Sequence, residues 1–208
     1  MQGGEGPEVG WYTGDYALPD PQPELTTSPV LSASFVSSRS IFRSPRFDLL
    51  SESFATSDGV VERPVIHHPG AVAILAQPDA GTLVMVRQYR YPIRRWTLEI
   101  PAGTRVPGEP AVVTAARELR EEAGLTATRL DEVMRFFPAV GVSDEEMILF
   151  RAHGLAEVPA APEHGELIAR QDIRMEDLPR LAAAGELCDA KTLIALALLG
   201  VRLPVGDV

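Results

Sequence analysis

Apolar positions along this chain fall mostly in short runs bounded by Gly, Pro and Asp, with helical spacing only in the stretches between and after them. Val30–Val36 and Ile41–Phe47 carry β-branched and aromatic residues, and Asp58-Gly59 supplies a tight turn. A small β unit is therefore expected over residues 29–66. Ala71–Leu75 and Leu83–Arg87 are apolar and separated by Asp79-Ala80-Gly81, so they read as core strands joined by a turn. Trp96–Ile100 is a further strand, ended by Pro101-Ala102-Gly103, and Thr104–Gly108 reads as a loop. From Pro110 to Ala123 the pattern turns helical, with proline in the first turn and Gly124 as the stop. Strands follow near Glu132–Phe137, Met147–His153 and Leu167–Arg174. Helices follow near Glu176–Ala184 and Asp189–Leu199, and Pro179 falls early enough in its helix to be tolerated. Interleaved strands and helices of this kind predict an α/β fold, a mixed sheet with helices on its faces.

Composition narrows the picture. Residues 1–28 are rich in Gly, Pro, Glu and Asp and read as a flexible arm, leaving 67–208 as the main domain. A formal net charge of −10 repels phosphate backbones, so general nucleic-acid binding is not expected. A small anionic substrate would need a local cationic site or a bound metal. No basic stretch followed by an apolar core opens the chain, and the apolar run Leu193–Leu199 falls far short of the roughly 20 residues that span a bilayer. A soluble, cytoplasmic protein without a membrane partner is the expectation. Cys188 is the single cysteine, which excludes an intrachain disulfide, and no histidine stands near it in sequence to activate it as a nucleophile. His67, His68 and His164 show no metal-ligand spacing and read as structural.

The chemistry concentrates between Gly103 and Leu125. On a helix, Glu118, Glu121 and Glu122 stand at i, i+3 and i+4 and share one face. Carboxylates crowded in this way repel one another unless cations hold them, and oxygen-rich clusters suit Mg²⁺ or Mn²⁺. Arg117 and Glu121 form an i, i+4 pair, so Arg117 can orient a carboxylate and offset part of the repulsion. Gly103 permits a close backbone approach. Glu109 precedes the helix, where a carboxylate suits the helix dipole. Taken alone, Glu121-Glu122 also reads as a solvated acidic helix face with a structural Arg–Glu pair. The complete spacing argues otherwise: glycine, five residues, glutamate, seven residues, Arg-Glu-Leu, one residue, Glu-Glu, one residue, Gly-Leu.

This stretch, Gly103 to Leu125, resembles the Nudix box of the Nudix hydrolases, and the likeness extends over roughly residues 65–200. The resemblance implies an α/β/α sandwich and metal-dependent cleavage of a nucleoside diphosphate linked to another group. It implies Glu118, Glu121 and Glu122 as metal ligands, Arg117 as their orienting partner, Gly103 as the shaper of the loop, and Glu109 at the edge of the site. Val86–Pro92 followed by Trp96–Gly103 is similar to the ADP-ribose pyrophosphatase branch. That likeness implies Arg87 and Arg90 on the phosphates, Trp96 or a tyrosine stacked on the base, Glu99 on a ribose or adenine donor, and the Ala102 carbonyl as a further metal ligand. Core packing for Trp96 and Tyr91, and salt bridges for Arg87 and Arg90, are the plainer readings. Phe136–Glu145 resembles the branch's substrate loop but carries Val140 where the branch usually has proline; Pro138 stands nearby. Pro162–Glu166 is similar to the segment holding the branch's catalytic glutamate, which implies Glu166, with Glu163 as its rival. ADP-ribose is the implied substrate, with other nucleoside diphosphate derivatives or a non-catalytic nucleotide-sugar binding module as alternatives. The branch also implies a homodimer built on the β unit.

Overall fold

The β unit forms as a meander. In the computed structural model, which describes residues 32–162 and 165–202, β1 (Ala33–Arg43), β2 (Asp48–Thr56) and β3 (Gly59–His67) make one antiparallel sheet in that order. Gly59, at φ 118, takes the turn between β2 and β3 that Asp58-Gly59 predicts. The strand expected at Ile41–Phe47 is corrected. Ile41 to Arg43 end β1, and the Ser44 hydroxyl accepts from the Arg46 and Phe47 amides to make a turn of Ser44–Phe47. The expected arm at 1–28, the start of the first strand at Val30, and Glu163 and His164 lie outside the described residues.

The main domain is built around strands covered on both faces. β4 (Ala71–Ala76) is buried throughout, which is why its sequence is an unbroken apolar run rather than an alternation. β5 (Thr82–Arg90), β6 (Arg95–Glu99) and β7 (Ala102–Thr104) follow, then α1 (Ala111–Ala123), β8 (Leu125–Thr126), β9 (Arg129–Phe136), β10 (Met147–His153), β11 (Ala156–Glu157) and β12 (Ile168–Arg174). A 3-10 turn at Met175–Asp177 leads into α2 (Leu178–Ala183), and α3 (Ala190–Leu198) closes the described chain. The apolar runs that read as two strands joined by a turn belong to different sheets. β4 lies in a mixed sheet of order β7-β4-β10-β9, parallel to β10 and antiparallel to β7, whereas β5 pairs antiparallel with β12 and β6.

Strand pleating sends alternate side chains to opposite cores. Ala71, Ala73 and Leu75 of β4 pack with Leu83, Met85, Leu98, Met147, Leu149 and the α2–α3 residues Leu178, Leu181 and Leu196. Val72, Ile74 and Ala76 pack instead with Ala115, Leu119 and Ala123 of α1 and with Ile148 and Phe150. Helices thus cover both faces, as an α/β/α sandwich requires. No helix among the described residues is long and apolar enough to cross a membrane.

Candidate active site

Helix α1 has clear ends. Pro110 sits at its N-cap in an extended conformation, and Gly124, at φ 63, caps the C-terminus by donating to the carbonyls of Arg120 and Leu119. Its buried stripe is Thr114, Ala115, Glu118, Leu119, Glu122 and Ala123, so two of the glutamates fall on the face turned into the protein. Glu118 is 8% exposed and Glu122 6%. Carboxylates at such depth are rare unless something compensates them.

Strand β7 supplies the facing surface. Its pairing with β4 sets Gly103 opposite Val72 and Ala102 opposite Ala73, which lays the loop against α1. The Ala102 amide donates to Glu122 Oε2 at 2.9 Å. At Gly103 a Cβ would stand 2.0 Å from Glu118 Cδ, so the Glu118 carboxylate occupies the space any other residue would fill. That is the reason for glycine here, sharper than the general backbone freedom read from sequence. Arg117 Nη1 lies 2.7 Å from Glu118 Oε1 and donates to Glu121 Oε2 at 2.9 Å.

These groups line a cleft of about 500 Å³ together with Gln88, Arg90, Thr104, Arg105, Glu166 and, from the β1–β2 turn, Pro45 and Arg46. Burial pushes the Glu122 carboxyl up to about 8; the nearby Glu118 and Glu166 charges add to the rise, and the Ala102 amide and Lys191 oppose it. Around Glu122 itself, then, the Glu118 and Glu166 charges are only partly offset by Lys191. Among the described residues no three acidic, histidine or cysteine side chains close on one ion-sized point. Arg117 lies between Glu118 and Glu121 and serves as their cation. The donor set, all hard carboxylate oxygens beside a glycine cradle already filled by one of them, fits a divalent cation.

The structure brings together Arg90, Ala102, Gly103, Arg117, Glu118, Glu121, Glu122 and Glu166 and leaves Arg87, Trp96, Glu99 and Glu109 outside the cleft lining. Glu109 accepts from the Thr114 hydroxyl at 2.7 Å, which ties the preceding loop to the first turn of α1. Arg87 pairs with Glu186 at 2.5 Å. Trp96, 48% exposed, sets its ring edge-on to Tyr89 on the outside of β6. Glu99 is 1% exposed and meets no opening. It accepts both arms of the Arg90 guanidinium, at 2.7 and 2.5 Å, together with the Thr97 hydroxyl and the Lys191 ammonium. Burial would raise its carboxyl, but Arg90 and Lys191 outweigh it and hold Glu99 at about 2. Sequence reasoning missed Lys191, Gln88, Arg46 and Arg105. Lys191 had no signal, because its partner stands 92 residues away; Arg105 lay inside the box stretch but at an unspecified position.

Val140, the departure in the substrate loop, is 78% exposed. The loop itself is latched to β3: the Ile66 amide donates to the Val142 carbonyl at 2.8 Å, and the His68 amide to Asp144 Oδ1 at 2.8 Å. His67 bonds Asp144, which raises its pKa. Cys188 is exposed.

A sandwich that presses helix-borne glutamates onto a glycine loop defines a class of hydrolases whose chemistry sits at a loop–helix junction rather than at strand ends. The NUDIX domain model matches residues 66–195, and the chain belongs to this family as a Nudix hydrolase. It is similar to the ADP-ribose pyrophosphatase of Bacillus subtilis (strain 168), 35% identical over 83% of this chain and 95% of that protein. It is also similar to the ADP-ribose pyrophosphatase of Mycobacterium tuberculosis, 41% identical over 69% of this chain and 68% of that one. A crystal structure of an ADP compounds hydrolase shares the fold with a TM-score of 0.68 and 24% identity, covering 83% of this chain and 95% of that one.

Proposed function

We propose that this protein hydrolyses the diphosphate bond of ADP-ribose to AMP and ribose 5-phosphate, using Mg²⁺, with Mn²⁺ as a substitute. The observation that carries the reading is the gathering of Glu118, Glu121, Glu122 and Glu166 with Arg90 in one cleft. The names of the two bacterial relatives support ADP-ribose as the substrate. Intact box glutamates favour the enzyme over a nucleotide-sugar binding module.

Glu118, Glu121 and Glu122, with the Ala102 carbonyl, would hold the cation. When bound, it neutralises diphosphate charge and acidifies a water. Glu166 lines the cleft, where it would serve as the base that takes a proton from the attacking water; Glu163 is its rival. Arg117 keeps Glu118 and Glu121 aligned. Arg90 contacts the phosphates while Glu99, itself tied to Lys191, holds its guanidinium in place. In this reading Glu99 positions Arg90 rather than meeting ribose, Arg87 serves its salt bridge, and Glu109 serves the helix.

We further propose a cytoplasmic homodimer, with residues 67–208 as the catalytic domain and 29–66 as the dimerisation unit. The support is β1, a long edge strand with Phe35, Val36, Ile41 and Phe42 each more than half exposed, a surface that invites cover. Neither nucleic acid nor membrane is a partner in this reading. The test is a hydrolysis screen in Mg²⁺ over ADP-ribose, other nucleotide sugars, dinucleoside polyphosphates and coenzyme A. AMP release from ADP-ribose above all others is expected. A flat screen with tight ADP-ribose binding would favour the binding module.

A further inference from the structure

The cations of the cleft differ in what they already hold. Arg46, Arg90, Arg105 and Arg117 all line it. Arg90 is engaged by Glu99, and Arg117 by Glu118 and Glu121. Arg46 and Arg105 make no side-chain hydrogen bond or ion pair among the described residues. Arg94, Arg120 and Arg151 also lack such a partner among the described residues, but none of them lines the cleft, where Arg46 and Arg105 stand beside four glutamates.

Arg105 is also held in place. Its amide donates to the Gly70 carbonyl at 3.0 Å. Its side chain runs past Gly70, where an added Cβ would stand 3.4 Å from both its Cδ and its Nη1 and 3.1 Å from the Glu146 carbonyl. Gly70, at φ 86, leaves the lane through which the arginine passes. Yet Arg105 Nε is buried without a hydrogen-bond partner. A buried donor left unsatisfied costs free energy, and native proteins seldom tolerate one without a use.

We propose that Arg105 is a substrate-binding residue: its guanidinium fork receives phosphate oxygens of the nucleoside diphosphate, and Arg46 adds a second, exposed cation to the same cleft. A planar fork fits a phosphate bidentately, which an ammonium cannot do. Arg90 and Arg117 bring charges already countered by glutamates, whereas no carboxylate among the described residues pairs with Arg105, which leaves its positive charge to meet an incoming anion. The inference rests on the hydrolase reading for the kind of substrate, but not for the anion site itself.

The test combines Arg105→Ala, Arg105→Gln and Arg105→Lys, with ADP-ribose kinetics in Mg²⁺ and calorimetric binding of ADP and of adenosine. Loss of a charge-assisted pair is expected to raise KM for ADP-ribose and Kd for ADP by about 10- to 100-fold in the Ala and Gln variants. The change falls on KM more than on kcat, and adenosine binding stays as in the parent. The Lys variant recovers part of the loss. If the Ala variant folds poorly, the Gln variant, close in length and uncharged, decides. Unchanged ADP affinity in a folded Gln variant overturns the proposal, and an equal loss for adenosine does so too. A parent that turns over no nucleotide but loses ADP binding in these variants sinks the hydrolase reading and leaves Arg105 standing.

Discussion

Two buried glutamates of this domain sit at nearly the same depth and behave oppositely. Glu99 is 1% exposed and Glu122 6%. Glu99 is surrounded by donors from Arg90, Thr97 and Lys191 and is held at about 2. Glu122 receives the Ala102 amide, faces Glu118 and Glu166, and is pushed up to about 8. Burial penalises both, so burial does not distinguish them; neighbouring charge does. The compensated carboxylate is scaffold, a strut behind Arg90. On the proposed function the under-compensated one belongs to the site, left short of positive charge where a cation and a diphosphate would meet.

The contrast can be broken first at Glu122. Glu122→Gln keeps an acceptor for the Ala102 amide but can no longer ionise to hold a cation. A fall in kcat of about 10²- to 10⁴-fold is expected, with Tm close to the parent's, since a carboxyl pushed up to about 8 carries little charge at neutral pH. Steady-state kinetics beside a thermal melt checks both halves.

Glu99→Gln reverses the pattern. It strands Arg90 and Lys191, and breaking a buried pair costs about 3–5 kcal/mol, so the loss should register in chemical denaturation. Acid separates the two further. The folded carboxyl of Glu99, at about 2, lies below its ordinary 4.5. Its contribution, on the order of 3 kcal/mol, is present above pH 4.5 and lost as pH falls toward 2. Denaturation across that window should show the decline in the parent and a flatter profile in Glu99→Gln; identical slopes would refute it.

A smaller effect is expected at Gly103→Ala, where the added Cβ displaces the Glu118 carboxylate. A misplacement near 1 Å costs roughly 10²-fold in kcat/KM, with some relief if the loop shifts. The smallest is Arg87→Ala. Its bond to Glu186 is partly exposed, so stability changes by about 1 kcal/mol or less and kcat hardly at all. A large loss of activity there would return Arg87 to the substrate.

Local features were legible in the sequence. The bounds of α1, the shared face of Glu118, Glu121 and Glu122, and the glycine loop follow from spacing within one short stretch. Long-range pairings were not. The ends of the Lys191–Glu99 bridge are 92 residues apart and those of Arg87–Glu186 are 99 apart. Only topology decides that α3 delivers its lysine beneath β6. The same limit explains β4 and β5: a turn at Asp79–Gly81 says that two strands reverse, not that they part into separate sheets. The donors around Glu99 were hidden for a related reason: Arg90 and Thr97 are local, but Lys191 comes from α3. Arg105 went unread because no local rule separates an arginine with a partner from one without.

The most direct test is AMP release from ADP-ribose by protein stripped with a chelator and then titrated with Mg²⁺, in the parent and in Glu122→Gln. We expect no release before Mg²⁺ is added, recovery in the parent as it is added, and little recovery in the variant at any concentration. Release that ignores the chelator, or a variant that recovers like the parent, would contradict a hydrolytic centre built on the carboxylates of α1.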